Sequence, residues 1–468
     1  MARISKPNPG RRGLRLRQSV GSRRWPANYA HHSFRSRSGT LSARGPNNMH
    51  TLPFKRLTAP RLALIIWLLS ITMVPIWISV HFLATVPIYC MVAIMILVFA
   101  ITFGGHHIQF TAFDAYLIAI LGVASLAMDD VNRGVLAEMA VRWVLPYFVI
   151  RILAASAGLQ FTVDALSVFL AVVGYLAVIE LFFAWHPFVN WSVDWNAKSP
   201  EFETWHLIQS RGGTDRSTWA FGHSIALGGS LVLAIPFIAH ASFRFPWKIL
   251  MVIAVGCGII TTGSRGAMLA AALTGCLTMA YLAKEQASRT VAVLVAAATT
   301  FLVGPHVMPI IEEWAAGSST EEQVSATYRS YLYDTYLPII KWFGRCPDFF
   351  PGNTSLDSVD SAVLYLGVTW GWIITAMIVF PLFVVVARVV AGRGSVPELA
   401  LVGQIPLFLT VGLITQYQSM IFIAVGLAVQ FIKSEKTESP SPHDRPDIGG
   451  DVGSGHRTGN TGGTISVR

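Results

Sequence analysis

Between positions 62 and 432 the chain consists largely of apolar blocks of about 16 to 25 residues, each close to the length that takes an α-helix across a bilayer, separated by polar links of which most are short. A backbone in hydrocarbon must satisfy its own hydrogen bonds, so only helices or a closed barrel can span. These blocks show neither a period of two nor a one-sided helical stripe, which argues against a barrel and against a soluble core. The expected fold is all-α, a polytopic membrane protein. Composition agrees: the 468 residues are 53% hydrophobic and 13% charged, with a mean hydropathy of +0.53.

Twelve spans are expected, near 62–83, 86–103, 113–128, 135–153, 162–184, 220–240, 247–263, 266–283, 290–309, 363–387, 399–415 and 419–432. With a cytoplasmic N-terminus, the basic links fall on the inside: Arg244 and Lys248, Lys284 and Arg289, Arg388 and Arg393, Lys433 and Lys436. This is what the positive-inside rule requires. Two long polar segments, 185–219 and 310–362, then face outward. Loops of that length are uncommon unless functional.

The formal charge of +10 is concentrated at the start: roughly the first 60 residues are rich in Lys and Arg and contain no acid. Residues 1–60 read as a disordered basic cytoplasmic segment, with anionic lipid headgroups as partner and no nucleic acid. Met49 precedes Lys55, Arg56, Arg61 and the first block, so it is an alternative start. The transmembrane domain is expected over 61–433, and residues 434–468 read as a disordered cytoplasmic tail. Cys90, Cys257, Cys276 and Cys346 have neither a disulfide framework nor metal-ligand spacing.

TTGSRGAMLAAALTG, residues 261–275, sets Arg265 between glycines in an apolar run. A charge at the membrane centre costs about 2.5–3.5 kcal/mol, and less near the interface. Arg265 therefore either snorkels to headgroups or grips phosphate oxygens with its bidentate fork, with Gly263 and Gly266 allowing a tight turn and a close approach. On the same expected side, SRGGTDRSTWAFGHSIALGG (210–229) contains Arg211, Asp215, Arg216 and His223. His223 is a candidate base or a hydrogen-bonded structural residue; Arg211 and Arg216 are candidate ligands of the same anion.

From about Glu321 the second outer loop reads as an amphipathic helix with Val324, Tyr328, Leu332 and Ile339 on its buried stripe and a break near Pro338. Arg329 flanks that stripe, either paired with a neighbour such as Asp334 or gripping substrate. Asp357 and Asp360 precede the next span, where carboxylates serve as helix caps or as catalytic groups.

Four of these segments, RSTWAFGHSIALG (216–228), TTGSRGAML (261–269), TYRSYLYDTYLPIIKWFG (327–344) and SVDSAVLYLGVTWGW (358–372), resemble the recurrent segments of the bacterial O-antigen ligase and polymerase superfamily, which includes Wzy-type exopolysaccharide polymerases. The resemblance spans most of residues 60–432. It implies that Arg216, Arg265 and Arg329 engage a lipid-linked sugar diphosphate. Where the ligases usually carry a histidine this chain has Asp360, which is more like the polymerases.

The implied function is a polymerase that joins undecaprenyl-diphosphate-linked oligosaccharide repeat units at the periplasmic face of the bacterial inner membrane. A chain-length regulator and a flippase of the same pathway are implied partners. Departure of a diphosphate develops negative charge that guanidinium groups can stabilise, and the outer loops carry no metal-ligand pattern, so no metal or cofactor is expected. Asp360 is the leading proton acceptor, with His223 and Asp357 as reserves. Trp185, Trp191, Trp195 and Trp205 are candidates for stacking on sugars or for an interfacial belt. Two alternatives remain open: a ligase that transfers the glycan to lipid A or protein, and a transporter or flippase of lipid-linked sugars or organic anions, for which the mid-helix charges Arg142 and Glu180 would line a path.

Overall fold

The computed structural model describes residues 58–81, 85–103, 110–129, 133–189, 191, 200–211, 213–283, 327–328, 331–346, 359 and 361–438. The basic segment 1–57, the expected span 290–309 and the tail beyond Glu438 lie outside them. The described chain is predominantly helical, with two small antiparallel hairpins. In chain order the helices are α1 (Ala59–Met73), α2 (Ile88–Phe103), α3 (Ala112–Leu126), α4 (Arg133–Ala157), α5 (Leu159–Phe182), α6 (Pro200–Trp205), α7 (Ser224–His240), α8 (Phe245–Thr261), α9 (Arg265–Leu282), α10 (Ala362–Trp370), α11 (Trp372–Val390), α12 (Val396–Val402), α13 (Ile405–Thr410) and α14 (Thr415–Glu438). The hairpins are β1 (Ser79–His81) with β2 (Thr85–Pro87), and β3 (Gln209–Arg211) with β4 (Thr214–Arg216). Among the described residues, five helices are long and apolar enough to cross a membrane: Arg133–Ala157, Leu159–Phe182, Arg265–Leu282, Trp372–Val390 and Thr415–Glu435. Six further apolar helical segments are shorter.

The main core is formed by α1, α2, α4, α5, α7, α8, α9, α12 and α14, with Trp67, Tyr89, Phe221, Phe237 and Tyr417 fully buried. α5 and α8 cross where Gly174 and Gly258 meet backbone to backbone. This small-residue contact brings two apolar helices closer than larger side chains allow.

The two ends of the bundle differ chemically. At the lower end Arg61 Nε donates to the Ala157 carbonyl (3.3 Å), Lys248 Nζ to the Ala239 carbonyl (2.9 Å), and Arg388 pairs with Glu398 (2.6 Å). The ring of His240 lies against Phe431, joining these groups. The basic links Arg244–Lys248, Arg388–Arg393 and Lys433 thus gather at one end, and Arg216 and Arg265 lie at the other.

Three expected spans are interrupted. The first helix stops at Met73 before Pro75, and the chain continues into β1 and β2. The block at 363–387 is two helices separated by Gly371, whose φ of +83° favours glycine. A Cβ there would stand 2.9 Å from the Lys341 carbonyl oxygen. Residues 341–346 satisfy the opened backbone: Trp372 N donates to Lys341 O (2.9 Å) and Ile373 N to Trp342 O (3.0 Å), while Gly344 N donates to Trp370 O (3.1 Å) and Cys346 N to Val368 O (2.9 Å). Non-helical backbone is tolerated at such depth only when protein groups satisfy it. The block at 399–415 is likewise split into α12 and α13, at Gly403 and Gln404. α14, by contrast, runs on past the expected boundary at 433 to Glu438.

α4 contains a π turn at Ala140–Val144. Pro146 has no N–H for the Arg142 carbonyl four residues earlier, and the hydroxyl of Ser419 on α14 donates to that carbonyl instead (2.8 Å). The proline thus accounts for the local unwinding, and α14 compensates it.

Candidate functional site

At the upper end the β3–β4 hairpin sets Arg216 opposite Gln209. The Gln209 side-chain oxygen accepts from Ser224 N (3.1 Å) and Ser224 Oγ (3.0 Å), which pins the hairpin to the start of α7. Half-buried Arg216 donates through Nε to the Thr262 carbonyl (2.6 Å), and Ser217 N donates to the Thr261 carbonyl (3.1 Å). These are carbonyls that the end of α8 leaves without helical partners. Ser217 Oγ reaches the Ala177 carbonyl on α5 (2.6 Å).

Glu180, buried near the end of α5, accepts from Thr218 N (3.1 Å) and Trp219 N (2.8 Å) on one oxygen and meets His186 Nδ1 (3.1 Å) on the other. Trp219 has a φ of +45°, a strained region for a bulky residue. Its indole N–H donates to the Thr72 carbonyl of α1 (3.1 Å). The segment 216–219 is therefore tied to α1, α5 and α8 at once.

The turn that receives Arg216 leads directly into Arg265. Gly263 has a φ of +57°, and a Cβ on it would stand 3.2 Å from Arg216 Nε. Ser264 Oγ caps α9 by accepting from Ala267 N (3.2 Å), and Arg265 is the first residue of that helix. A helix N-terminus and two guanidinium-bearing residues meet at one turn. Helix N-termini favour anions through their unpaired N–H groups and dipole, and guanidinium groups match phosphate oxygens.

His223 is the N-cap of α7, with Nδ1 accepting from Ile225 N (3.2 Å) and its ring edge-on to Trp205. Burial, with the nearby Arg216 cation second, pushes its pKa down to about 4. The ring is therefore neutral near pH 7, and its proton sits on Nε2.

The remaining expected residues divide as follows. Arg211 ends β3, and Asp215 is exposed in β4. Arg329, Asp357 and Asp360 lie outside the described residues, but the chain on either side of position 360 does not. Tyr333 OH donates to the Leu409 carbonyl (3.0 Å) and lies within hydrogen-bond reach of Ser361 Oγ (3.0 Å). Ala362 N donates to the Val411 carbonyl (3.0 Å). That part of the chain is thereby fastened to the end of α13, and a Cβ on Gly266 would meet Leu407 and Thr410 of the same helix. α13 links the Arg265 turn to the neighbours of position 360. The buried stripe before it runs through Leu332, Tyr336 and Ile340, with Tyr328 packed against it. Ile339, expected inside, is exposed because the helix tightens into a 3-10 turn at Leu337–Ile339 and shifts the phase by one residue.

Sequence reading passes over Thr415–Ser419 at the start of α14, where four buried polar residues flank the buried Tyr417. Gln416 Nε2 donates to the carbonyls of Val74 (3.1 Å) and Ala220 (2.8 Å), and Tyr417 OH donates to Gln404 (2.8 Å). Gln418 Nε2 donates to Glu138 (3.1 Å) and Gln418 Oε1 accepts from Trp143 Nε1 (2.7 Å), while Ser419 Oγ lies 3.0 Å from Tyr89 OH. The available signal is TQYQS itself, too polar for a span and too apolar at its flanks for a loop.

In comparisons with protein-family models, with curated proteins and with solved structures, the chain matches none of them.

Proposed function

We propose that the protein is a membrane glycosyltransferase that moves a glycan from an undecaprenyl-diphosphate carrier to a sugar hydroxyl, joining oligosaccharide repeat units into a polysaccharide at the outer face of a bacterial inner membrane. The observation that carries this reading is the meeting of Arg216 with the turn that opens α9 at Arg265. In the transfer, the bond between the anomeric carbon and the diphosphate oxygen breaks as a new bond forms to the acceptor oxygen. Charge develops on the departing diphosphate. Fixed guanidinium groups and helix N–H groups aimed at that charge lower the barrier without reorganising. The acceptor proton passes to a carboxylate, and Asp360 is the candidate because its chain neighbours are fastened beside α13. His223 suits that role less, since Nδ1 is engaged as a helix cap and Nε2 carries the proton.

Transfer of the glycan to lipid A or to a protein, as a ligase would perform, would use the same Arg216–Arg265 turn and is the second reading. Transport is the weaker one. The two mid-helix charges that would line a path have local partners: Arg142 pairs with Glu138 (2.5 Å), and Glu180 holds the N–H groups of Thr218 and Trp219.

The test is to analyse lipid-linked saccharides in membranes carrying Arg216→Ala or Arg265→Ala. Loss of polymer with accumulation of single lipid-linked repeat units, at normal protein levels, is expected. Full-length polymer from both variants would overturn the reading.

A further inference from the structure

The upper end of α5 carries a polar pair that the transfer step leaves unused. Ala184, just past the helix, has a φ of +46°, in the left-handed region that glycine usually takes at a helix end. Trp185 N donates to the Glu180 carbonyl (3.0 Å), so the chain turns back at once and sets His186 beside the Glu180 side chain. His186 Nδ1 lies 3.1 Å from one carboxylate oxygen, while the other accepts from Thr218 N and Trp219 N. The side chain of Glu180 is 2% exposed and that of His186 10%.

Two N–H donors keep that carboxylate an acceptor, so Nδ1 donates to it and the neutral ring keeps its lone pair on Nε2. The two ring nitrogens point in nearly opposite directions. Nε2 therefore points away from the buried carboxylate, and among the described residues it has no hydrogen-bond partner. Half-exposed Trp185 and Trp191 lie on either side of His186 in the chain, and both are braced against buried Trp219. The Trp185 ring is 6.0 Å from that of Trp219; Phe188 stands edge-on to Trp219 (4.8 Å) and stacks on Trp191 (5.7 Å). An interfacial belt needs only the indoles. A lone pair backed by a buried carboxylate adds a different demand: it repels phosphate oxygens and calls for a donor. The apolar C–H face of a neutral hexose packs on an indole, and the hydroxyls at its edge are donors. Thr218, held by the same carboxylate, is two residues from Arg216, at most about 7 Å along the chain. A saccharide whose diphosphate sits at Arg216 thus has His186 within reach of its first few sugars.

We propose that His186, oriented by Glu180, and the indole of Trp185 form a saccharide subsite, in which a neutral hexose of the lipid-linked substrate stacks on the indole and donates a hydroxyl hydrogen bond to Nε2. This rests on the glycosyl-transfer reading of the Arg216–Arg265 turn and adds where the sugar, as distinct from the diphosphate, is held.

The experiment places the full chain in nanodiscs of phosphatidylethanolamine and phosphatidylglycerol with soluble probes that share one diazirine group. The probes are a glucose tetrasaccharide, a galactose tetrasaccharide and an alkylammonium without sugar. At least one tetrasaccharide is expected to label peptides containing Phe188 or Trp219 about tenfold more strongly than the ammonium probe, a preference worth about 1.4 kcal/mol. Trp185→Ala, at a half-exposed position, and His186→Phe, which keeps a ring and removes the acceptor, should each remove most of that labelling. Trp185→Phe, which restores a flat ring, should recover it. Labelling by neither tetrasaccharide above the ammonium probe, or labelling unchanged in either Trp185→Ala or His186→Phe, would mean that lipid headgroups cover the indoles and would overturn the proposal. Arg265→Ala should lose polymer yet keep the saccharide labelling. Polymer surviving in that variant would sink the transfer reading, and the labelling, measured without any diphosphate, would still report the sugar site by itself.

Discussion

The buried carboxylate of Glu180 accepts the backbone N–H of Trp219 at 2.8 Å, where Trp219 adopts a φ of +45°. Glu180 thus holds the strained backbone next to Arg216. Glu180→Gln keeps the size but removes the charge, and a hydrogen bond to a charged acceptor contributes about 1.5–3 kcal/mol. Hydrogen exchange at residues 217–220 should speed up by about tenfold or more, and polymer yield should fall while the helices stay protected. Unchanged exchange there would show that Arg216 is positioned by other contacts.

If Arg265 holds a diphosphate, Arg265→Lys should rescue Arg265→Ala only partly, because an ammonium keeps the charge and loses the fork. Arg265→Gln should accumulate single lipid-linked repeat units. A snorkelling arginine makes the opposite prediction, and full-length polysaccharide from an Arg265→Gln strain would establish it.

His223 as a helix cap differs from His223 as a base. His223→Asn supplies another capping side chain and should retain polymer, whereas His223→Ala should cost about 0.5–2 kcal/mol of stability. Asp360→Asn should lower turnover with little change in donor binding. The pH dependence has a fixed sign. The folded pKa of about 4 lies below the ordinary histidine value of about 6.5, so between those values the unfolded chain holds a proton that the folded chain lacks. The contribution of His223 is complete above the unfolded value and declines as pH falls toward 4. Thermal unfolding in detergent at pH 5 and 7.5 should show this loss in the native chain and not in His223→Asn.

Sidedness can be read directly. Thr214, exposed on the hairpin, and Arg393, exposed beside α11, lie at opposite ends of the bundle. With cysteine at each, an impermeant maleimide applied to spheroplasts should modify position 214 and spare position 393. Modification of position 393 alone would invert the orientation and move Arg265 to the cytoplasmic side.

Much of the helix order is legible in the sequence because run length alone decides whether apolar residues can cross a bilayer. Arg216 and Arg265 stand out for the same reason: a cation in an apolar run is costly wherever it sits. The interruptions are not legible. Gly371 within a 25-residue apolar stretch looks like any glycine in a membrane helix, and its break is stable only because the backbone of Lys341, Trp342, Gly344 and Cys346 comes to meet it from elsewhere in the chain. Pro146 reads equally well as a helix start or a distortion, and the choice depends on Ser419, far along the sequence. The Glu138–Gln418 contact is hidden in the same way, since neither residue has a local partner pattern that announces the other.

The break at Gly371 also orders biogenesis. Residues 341–346 leave the ribosome before the segment they complete, so they can wait at the upper end when α10 and α11 arrive. Until they dock, 362–390 can insert only as one unbroken apolar helix or with open backbone groups in lipid. Maturation is then expected to include a late step in which a straight span becomes two as residues 341–346 dock against the backbone around Gly371. A nascent chain stalled soon after Val390 should show this intermediate, with position 371 shielded from water until residues 341–346 fold onto it.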